Sequence, residues 1–365
     1  MIDQYQGFLR ELTQCRAQTL DFLRQDHYRA LFTPPILAEG VYSYIERMGK
    51  AMRPALTLWS AGAVGGAERV AYALPAAAAF ELFHTYSIVH DDIIDRDATR
   101  RGGPTVHRQF QQYALEQLAL SAPEAAHFGI SLGILAGDTQ LCWCFAILTE
   151  YLLNQAIEPR VAAFIFKDFI HSLSLVMPVG ELTDVLFAFT KPESLSAEQV
   201  LDMYYRKTGA TFEVAARVGA LIGANDLEEK REHVKNLAEF ARRCGLAFQL
   251  YDDLLGIIGD STLTKKPVGA DIVEGKRTFP LLHAYQHADA TQQRFLTHVL
   301  GNKETTPEQR AEVVDLMIRV GSVEFTRQTA QNQLEQAQQF LAQLPPSEYR
   351  EWLSRWASYI VDRSG

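Results

Sequence analysis

Apolar residues recur at helical spacing along most of the chain, while the alternation that predicts β-strands is scarce. The periodic segments occupy about residues 4–30, 36–48, 55–64, 69–95, 125–153, 157–178, 195–223, 227–258 and 306–342. Short loops rich in glycine or proline separate them, and none is long enough to be an inter-domain linker. The sequence therefore predicts an all-α fold, and we expect a single helical domain over residues 1–365.

The composition is that of a soluble globular protein. Hydrophobic residues make up 47% and charged residues 22% of the chain, which allows a sizeable core and argues against disorder. The 35 Lys and Arg residues against 44 Asp and Glu residues give a net charge of -9, which argues against a nucleic-acid partner. The N-terminus lacks the pattern of a signal peptide, and the four cysteines lack metal or redox spacing. We expect a cytoplasmic protein.

One segment, residues 128–153, is apolar enough to suggest a membrane span. Asp138 and Gln140 lie near its middle, and polar groups are costly inside a bilayer. We therefore expect a buried central helix and no transmembrane segment.

Two clusters of aspartate end apolar helical segments, one in HTYSIVHDDIID and one in AFQLYDDLLGIIGD. Carboxylates four residues apart lie on one helix face. Hard oxygen ligands from two helices suit Mg²⁺ when water or phosphate completes its shell. We interpret the clusters as a site for metal and a diphosphate, although a lone pair of this kind is more often a solvated acidic helix end. The aspartates are Asp91, Asp92, Asp95, Asp252 and Asp253.

Basic residues stand at loop edges beside glycine, proline or threonine. A single one is more often a surface charge, but their repetition beside two acidic clusters favours phosphate binding. They are Lys50, Arg53, Arg100, Arg101, Lys207, Lys266, Lys276 and Arg277.

This ordered series resembles the trans-isoprenyl diphosphate synthases, or polyprenyl synthetases. MGKAMRP is similar to the family's GGKxxRP, and YYRKTGATF is similar to its KTGALF segment. HTYSIVHDDIIDRDATRRGGPTVH and FQLYDDLLGIIGD resemble the two aspartate-rich motifs, and KKPVGADIVEGKRTFPLL resembles the stretch that follows. The resemblance covers about residues 47–282. It implies an all-α bundle around a deep central cavity, usually a homodimer, with the aspartate motifs facing each other at the cavity mouth.

The resemblance also implies an Mg²⁺-dependent prenyltransferase, with three ions expected and Mn²⁺ as a substitute. An allylic diphosphate ionises, and the allylic cation alkylates the double bond of isopentenyl diphosphate before a proton is lost. Catalysis would then rest on positioning and on electrostatic stabilisation of the leaving group. No side-chain nucleophile is needed.

The motif positions assign roles by resemblance. The principal metal ligands, which together with Lys207 form the catalytic set, would be Asp91, Asp95 and Asp252, with Asp92 and Asp253 in support or bound through water. The allylic diphosphate would be held by Arg100, Lys207, Thr208 and Lys266, with Gln249 and Lys276 nearby. Isopentenyl diphosphate would be held by Gly49, Lys50, Arg53, His84 and Arg101. A lone histidine on an apolar helix is more often a core residue. The assignment of His84 as a ligand of isopentenyl diphosphate therefore depends on the motif match.

Three positions depart from the family pattern. Ala51 stands where an arginine usually follows the lysine of the first basic motif. Glu181 replaces the glutamine of GQxxD, which would weaken anion binding or add a metal ligand. Gly256 stands where many members have a third aspartate, and Asp260 follows one helical turn later.

The residues before the first motif bear on product length. Tyr86 and Ser87 lie five and four positions before Asp91, near the expected path of the growing tail. Tyr86 either fills the core or forms a floor that stops elongation, as a bulky residue there does in the family. The first motif also lacks the two-residue insertion of many bacterial farnesyl synthases. We expect a short-chain enzyme that makes geranylgeranyl diphosphate, with farnesyl diphosphate as the alternative.

Three other interpretations are weaker. A class I terpene cyclase carries a second motif of the Asn-Asp-x-x-Ser-x-x-x-Glu type, which residues 252–260 do not fit. A non-catalytic synthase subunit loses aspartates from the first motif, which is intact in this chain. A structural helical protein leaves both acidic clusters and the cations unexplained.

Overall fold

The computed structural model describes residues 5–153, 157–258 and 269–362, and their regular structure is almost entirely helical. The prediction of an all-α fold is confirmed. The backbone contacts divide the chain into two compact units, Met1–Phe166 with Arg217–Arg231, and Lys167–Ala216 with Glu232–Gly365. That the whole chain acts as one domain stays a prediction.

The first unit is a set of helices with one small hairpin. Its elements in chain order are α1 (Gln6–Leu23), α2 (Asp26–Arg29), α3 (Pro35–Glu46), α4 (Met52–Gly65), α5 (Ala67–Ile94), β1 (Thr99–Arg100), β2 (Gly103–Pro104), α6 (Val106–Gln117), α7 (Ala122–Leu153) and most of α8 (Pro159–Asp168).

Helix α7 packs against both α5 and α6. Gly129, Gly133 and Gly137 form a stripe of small residues at four-residue spacing along it. A Cβ atom at Gly129 would lie 2.2 Å from the carbonyl oxygen of His107, and one at Gly137 would lie 2.3 Å from Nε2 of His90. At Gly129 only glycine allows the approach of the α6 backbone, and at Gly137 the absence of a side chain leaves space for His90 of α5, directly before the first aspartate motif.

Two helical segments, Ala122–Glu150 and Pro159–Ala188, are long and apolar enough to cross a membrane. They are weak evidence for a membrane span, because the core helix of a soluble protein can be equally long and apolar. In the first segment the Gln140 amide is fully buried, and its Nε2 donates to the Val41 carbonyl oxygen over 2.7 Å. This contact fits the central helix that the sequence predicts.

The second unit is also helical. It begins with a π-helical turn at Phe169–Ser174, followed by α9 (Met177–Ala188), a 3₁₀ turn at Pro192–Ser194, α10 (Ala197–Tyr204), a second π-helical turn at Tyr205–Gly209 and α11 (Ala210–Ala224), whose last part from Arg217 belongs to the first unit. The remaining helices are α12 (Arg231–Ile258), α13 (Ala270–Glu274), α14 (Phe279–His287), α15 (Ala290–Val299), α16 (Pro307–Arg319), α17 (Ser322–Leu341) and α18 (Glu348–Asp362).

Several helix boundaries differ from the sequence prediction. The segment 306–342 divides into α16 and α17 at Gly321, whose φ of +78° lies in the left-handed region that favours glycine. The segment 4–30 divides into α1 and α2. Helices α6, α13, α14, α15 and α18 are absent from the prediction, and α9 is absent except for its first two residues. Helix α6 is largely polar, and it buries only Val106, His107, Phe110 and Ala114.

Candidate active site

The first aspartate motif ends helix α5. Asp91 and Asp92 lie in its last turn, and Asp95 follows as the capping residue, whose backbone N–H donates to the Asp91 carbonyl oxygen over 2.8 Å. Arg96 then takes a left-handed φ of +61°, and the chain leaves the helix. The half-buried side chains of Asp91 and Asp95 come one turn apart, as the spacing predicts.

Asp92 is fully buried, unlike its neighbour. The Tyr44 hydroxyl donates a short hydrogen bond to its Oδ2, and Arg100 Nε donates to its Oδ1 over 2.7 Å. The same Tyr44 oxygen accepts the backbone N–H of Val106 over 3.3 Å. Burial raises the pKa of Asp92, and the hydrogen bond and charge of Arg100 work in the opposite direction. These contacts fit the supporting role predicted for Asp92, while direct metal binding by it stays a prediction.

Arg100 lies among three aspartates. Its Nη2 is 2.5 Å from Asp92 Oδ1, 3.1 Å from Asp97 Oδ2 and 3.6 Å from Asp91 Oδ2. Burial alone would lower the pKa of Arg100, but the hydrogen bond and charge of Asp92 raise it overall. The guanidinium therefore stays charged beside the first motif, where the sequence places a diphosphate ligand.

The β1–β2 hairpin carries two of the predicted arginines. Arg100 pairs with Gly103 in antiparallel register. Arg101 and Gly102 form the turn with φ values of +52° and +77°, the left-handed pair that a two-residue type I′ turn requires. Arg47 Nη1 donates to the Arg100 carbonyl oxygen over 3.1 Å and fastens the hairpin to α3.

A second group of charges lies around Glu81, a residue absent from the sequence prediction. The side chain of Glu81 is 2% exposed, and its Oε1 lies 3.6 Å from Arg101 Nη2. Burial raises the pKa of Glu81, opposed by the charges of Arg101, Arg53 and Arg16. Desolvation lowers the pKa of Arg53 to about 10 and also lowers that of Arg101. Desolvated guanidinium groups around a single buried carboxylate favour the binding of a further anion.

The MGKAMRP loop lies against the same arginines. Arg16 Nε donates to the Gly49 carbonyl oxygen over 2.9 Å. A Cβ atom at Gly49 would lie 3.4 Å from Arg101 Nη2, so the glycine backbone packs close to that guanidinium. Ala51 takes a left-handed φ of +52° and leads into α4, and Lys50 is exposed. The structure therefore brings together Gly49 and Arg101, two of the residues predicted for isopentenyl diphosphate.

His84 is half-buried on α5. Burial lowers its pKa well below the usual value, and the charges of Arg53, Arg101 and Arg100 lower it further. The imidazole is therefore neutral at physiological pH, with one nitrogen that donates and one that accepts a hydrogen bond.

The two predicted chain-length residues lie in the next turn of α5. Tyr86 is 6% exposed and packs edge-on against Phe83 and His90, with ring centroids 4.9 Å and 5.5 Å apart. Ser87 Oγ donates to the His84 carbonyl oxygen over 2.8 Å. Tyr86 is thus a packed core aromatic, and its control of product length stays a prediction.

The second aspartate motif repeats the arrangement of the first within its own unit. Asp252 is exposed, whereas Asp253 is 5% exposed. Asp253 accepts a short hydrogen bond from the Tyr204 hydroxyl and another from Gln249 Nε2 over 3.1 Å. The Tyr204 oxygen accepts the backbone N–H of Phe279 over 2.8 Å. In both motifs, then, the second aspartate is buried against a tyrosine that also satisfies a backbone donor.

Lys207 and Thr208 lie in the second π-helical turn. Lys207 Nζ is 2.7 Å from Asp184 Oδ2 and 3.1 Å from Glu181 Oε2. Thr208 Oγ1 donates to Gln249 Oε1 over 3.1 Å. The structure therefore connects Thr208 and Gln249, two residues predicted for the allylic diphosphate, and places Lys207 against two carboxylates.

Gly256 stands where many family members have a third aspartate. A Cβ atom at Gly256 would lie 3.1 Å from Oδ2 of Asp271 on α13. The Gly269 backbone N–H donates to the Gly256 carbonyl oxygen over 2.9 Å, which keeps the two segments together. Burial is the largest cause of the raised pKa of Asp253, and the charge of Asp271 raises it further. A carboxylate from another helix therefore lies beside the position of the missing aspartate.

The remaining predicted residues belong to the segment after α12. Lys276 Nζ lies 3.0 Å from Glu274 Oε2. Lys266, predicted for the allylic diphosphate, and Asp260 lie outside the described residues.

The side chains of these sites that are missing from the sequence prediction include Tyr44, Tyr204, Glu81, Asp271, Arg16 and Asp184. Glu81 could have been selected from the sequence, because it is the single acidic residue in the run ALPAAAAFELFHTYSIV and lies one turn before His84. The two tyrosines could not, because their partners lie 48 and 49 positions away in the sequence.

Oxygen donors for a divalent cation are present in each motif. Within the described ranges, no group of three or more His, Cys, Asp and Glu side chains is arranged to hold an ion by itself. The burial of Asp92 and Asp253 leaves Asp91, Asp95 and Asp252 as the more accessible carboxylates. Such a sparse set of hard ligands fits Mg²⁺, which usually keeps water and substrate phosphate in its shell. That the two motifs face each other stays a prediction.

The helical fold, with two aspartate motifs and their basic neighbours, places the chain in the class of isoprenoid synthases. Residues 34–317 match the family described as "Polyprenyl synthetase", and the chain belongs to that family. The predicted family and the predicted prenyltransferase class are both confirmed.

The chain is similar to several prenyl synthases over nearly its full length. It is 32% identical to the geranylfarnesyl diphosphate synthase of Aeropyrum pernix, over 93% of this chain and 98% of the relative. A crystal structure of geranylgeranyl pyrophosphate synthetase from Pyrococcus horikoshii Ot3 is 30% identical, with a TM-score of 0.84 over 98% of this chain and 99% of that one. The Corynebacterium glutamicum geranylgeranyl pyrophosphate synthase, complexed with isoprenyl diphosphate and magnesium, is 29% identical, with a TM-score of 0.81 over 98% of each chain.

Proposed function

We propose that the chain is a short-chain prenyl diphosphate synthase that condenses isopentenyl diphosphate with an allylic diphosphate head to tail. Geranylgeranyl diphosphate is the proposed final product. The names of the similar synthases support this proposal.

The observation that carries the proposal is the desolvated basic group around Glu81. Arg101 Nη2 lies 3.6 Å from the buried carboxylate of Glu81, and burial lowers the pKa of Arg53 and of Arg101. A diphosphate would add negative charge beside these guanidinium groups, next to the Gly49 backbone that packs against Arg101. We assign the diphosphate of isopentenyl diphosphate to this group, with Lys50 and neutral His84 as further donors.

The allylic diphosphate is assigned to the second set of residues. Lys207 and Thr208 would orient it, with Arg100 beside the first motif and with Lys266, Gln249 and Lys276 as further contacts. Asp91, Asp95 and Asp252 would hold Mg²⁺, with three ions proposed and Mn²⁺ as a substitute. When bound, the metal supplies positive charge that offsets the negative charge of the departing diphosphate.

The proposed reaction needs no covalent intermediate with the protein. The allylic carbon–oxygen bond breaks, and its electron pair leaves on the diphosphate. The double bond of isopentenyl diphosphate then forms the new carbon–carbon bond with the allylic cation. The released diphosphate accepts the proton that is lost. The residues named above contribute by binding, orientation and charge.

We also propose a cytoplasmic homodimer. Large apolar side chains of α9 and its flanks remain exposed in the single chain, and exposed apolar patches often mark protein interfaces. They are Leu175, Val179, Leu182, Leu186 and Phe189. Light scattering coupled to gel filtration measures the mass, and a monomer would contradict the dimer.

Product analysis tests the central proposal. The purified chain is incubated with Mg²⁺, isopentenyl diphosphate and, in separate reactions, dimethylallyl, geranyl or farnesyl diphosphate. We expect diphosphate release that requires both Mg²⁺ and isopentenyl diphosphate, with geranylgeranyl diphosphate as the main product. Release from an allylic diphosphate alone would indicate a cyclase, and no turnover with any primer would contradict a synthase.

A further inference from the structure

Helix α1 contributes a charged side chain to the loop between α3 and α4. Arg16 Nε donates to the Gly49 carbonyl oxygen over 2.9 Å and to the Met48 carbonyl oxygen over 3.3 Å, and its Nη2 donates to the Met48 oxygen over 3.0 Å. One guanidinium group therefore holds two successive carbonyl groups that lie 32 and 33 positions away in the sequence. The region that matches the family begins at residue 34, so Arg16 lies outside it.

The shape of the guanidinium group makes this contact restrictive. Its N–H groups point outward in one plane at fixed angles. Two carbonyl oxygens that share the group are therefore held relative to each other and to α1. Hydrogen bonds from a charged donor are also stronger than those between neutral groups. The contact thus limits the positions that are open to the backbone of Met48 and Gly49.

The loop that Arg16 holds has an uncommon backbone conformation. Ala51, two residues after Gly49, has a φ of +52° and is 4% exposed. Residues other than glycine seldom adopt left-handed φ values, and they keep them where the surrounding contacts require it. Helix α4 begins at Met52, directly after this residue. Arg16 therefore holds the start of a turn whose conformation depends on external contacts.

Helix α1 is anchored by side chains other than Arg16. Phe8 is fully buried, and its ring centroid lies 5.7 Å from that of Trp59 on α4. Leu12 and Leu23 are also buried. Burial of an apolar face supplies most of the free energy that docks such a helix. A substitution at the half-buried Arg16 should thus leave α1 in place and change mainly the loop.

Arg16 also acts on the basic group around Glu81. Its charge, after those of Arg101 and Arg53, opposes the burial that raises the pKa of Glu81. On the other side of the loop, a Cβ atom at Gly49 would lie 3.4 Å from Arg101 Nη2. The backbone that Arg16 holds is therefore the same backbone that packs against a proposed ligand of isopentenyl diphosphate.

We propose that Arg16 is a positioning residue that holds the backbone of Met48 and Gly49 in the conformation required for binding isopentenyl diphosphate. Without this contact, Gly49 would lose its fixed place against Arg101, and Lys50, the next residue, would move with it. This inference rests on the proposed function for the identity of the ligand. It goes beyond that function in giving α1 a role in the binding site.

Arg16→Ala tests the proposal through the two substrates separately. We expect the KM for isopentenyl diphosphate to rise about tenfold, which corresponds to about 1.4 kcal/mol and lies near the lower end of the range for hydrogen bonds to charged groups. The KM for the allylic diphosphate and kcat should change less than about twofold, because the loss concerns the binding of one substrate. Arg16→Lys keeps the charge but lacks the planar fork, so we expect an intermediate rise of about threefold.

Arg10→Ala is the matched control. Arg10 lies on the exposed surface of α1, and its Nε donates to the Gln6 carbonyl oxygen of the same helix over 3.4 Å. The substitution makes the same change in net charge as Arg16→Ala, and we expect wild-type constants. An equal rise in the KM for isopentenyl diphosphate in both variants would show an effect of net charge and would contradict the positioning role.

Amide hydrogen exchange followed by mass spectrometry tests the positioning role without substrates. In Arg16→Ala, residues 48–51 should exchange at least about tenfold faster than in the wild type, while the last two turns of α4 keep the wild-type rate. A raised KM with unchanged exchange would make Arg16 a direct ligand, and an unchanged KM would remove its role in binding. Either result would overturn the proposal.

Calorimetric binding of isopentenyl diphosphate separates this inference from the proposed function. A wild-type protein that binds isopentenyl diphosphate without prenyl transfer would contradict the function. Weaker binding and faster loop exchange in Arg16→Ala would still support the role of Arg16.

Discussion

Asp91 and Asp92 are adjacent in sequence, yet the structure predicts opposite consequences when each is changed to asparagine. Asp92 accepts hydrogen bonds from Tyr44 and Arg100 in a fully buried position. Asp91 is 21% exposed, and its Oδ2 lies 3.6 Å from Arg100 Nη2. Asp92→Asn should therefore mainly reduce stability, and Asp91→Asn should mainly reduce activity.

The magnitudes follow from these contacts. Asp92→Asn removes a hydrogen bond between charged groups, worth about 1.5–3 kcal/mol. In this variant Arg100 would still pair with Asp97, whose Oδ2 lies 3.1 Å from Arg100 Nη2, and the Arg100 side chain is 28% exposed. The full cost of leaving a buried charge without a partner therefore does not apply. We expect a loss of about 2–3 kcal/mol in the free energy of unfolding. Asp91→Asn should cost less than about 1 kcal/mol of stability and lower kcat by at least about a hundredfold.

Urea unfolding followed by circular dichroism measures the first effect, and initial rates at saturating substrates and Mg²⁺ measure the second. Equal destabilisation by the two variants would refute the division of roles. Unchanged stability in Asp92→Asn would show that burial keeps Asp92 protonated in the wild type, so that its bond to Arg100 is not an ion pair.

Four further substitutions test other parts of the proposal. Lys50→Ala should raise the KM for isopentenyl diphosphate more than that for the allylic primer, and Lys207→Ala should do the reverse. In steady-state kinetics, equal effects would mean that the two sites are merged, and opposite effects would mean that the assignments are exchanged. Tyr86→Ala should shift products to longer chains in chromatographic analysis, and an unchanged distribution would show that another residue sets the depth. Gly256→Asp should lower Mg²⁺-dependent activity rather than improve it, because the new side chain would begin 3.1 Å from the Asp271 carboxylate; higher activity at low Mg²⁺ would contradict this expectation.

The sequence predicted the features that depend on local spacing. The helical period, the breaks at glycine and proline, and the pairing of Asp91 with Asp95 on one face all follow from residues within one or two turns of each other. Helix α6 was missed because its surface is mostly polar and its apolar residues are few. The break at Gly321 was missed because a single glycine does not by itself end a periodic segment.

Contacts between distant residues were beyond the sequence pattern. Tyr44 lies in an ordinary amphipathic helix, and nothing near it indicates a bond to Asp92. The position of Asp271 beside Gly256 depends on the return of the chain after α12. Glu81 was open to prediction, since burial of a lone acid in an apolar helix requires nearby positive charge.

The division of labour within each aspartate pair has a common physical origin. Adjacent residues on a helix point about 100° apart, so at each of these helix ends only one of the two successive carboxylates is directed outward. The other is directed into the protein and needs hydrogen-bond donors, because an unpartnered buried carboxylate is costly. Tyr44 and Tyr204 meet this need in their separate units, and each also accepts a backbone N–H. The second aspartate therefore stabilises the end of the helix, and the first is the more exposed of the two.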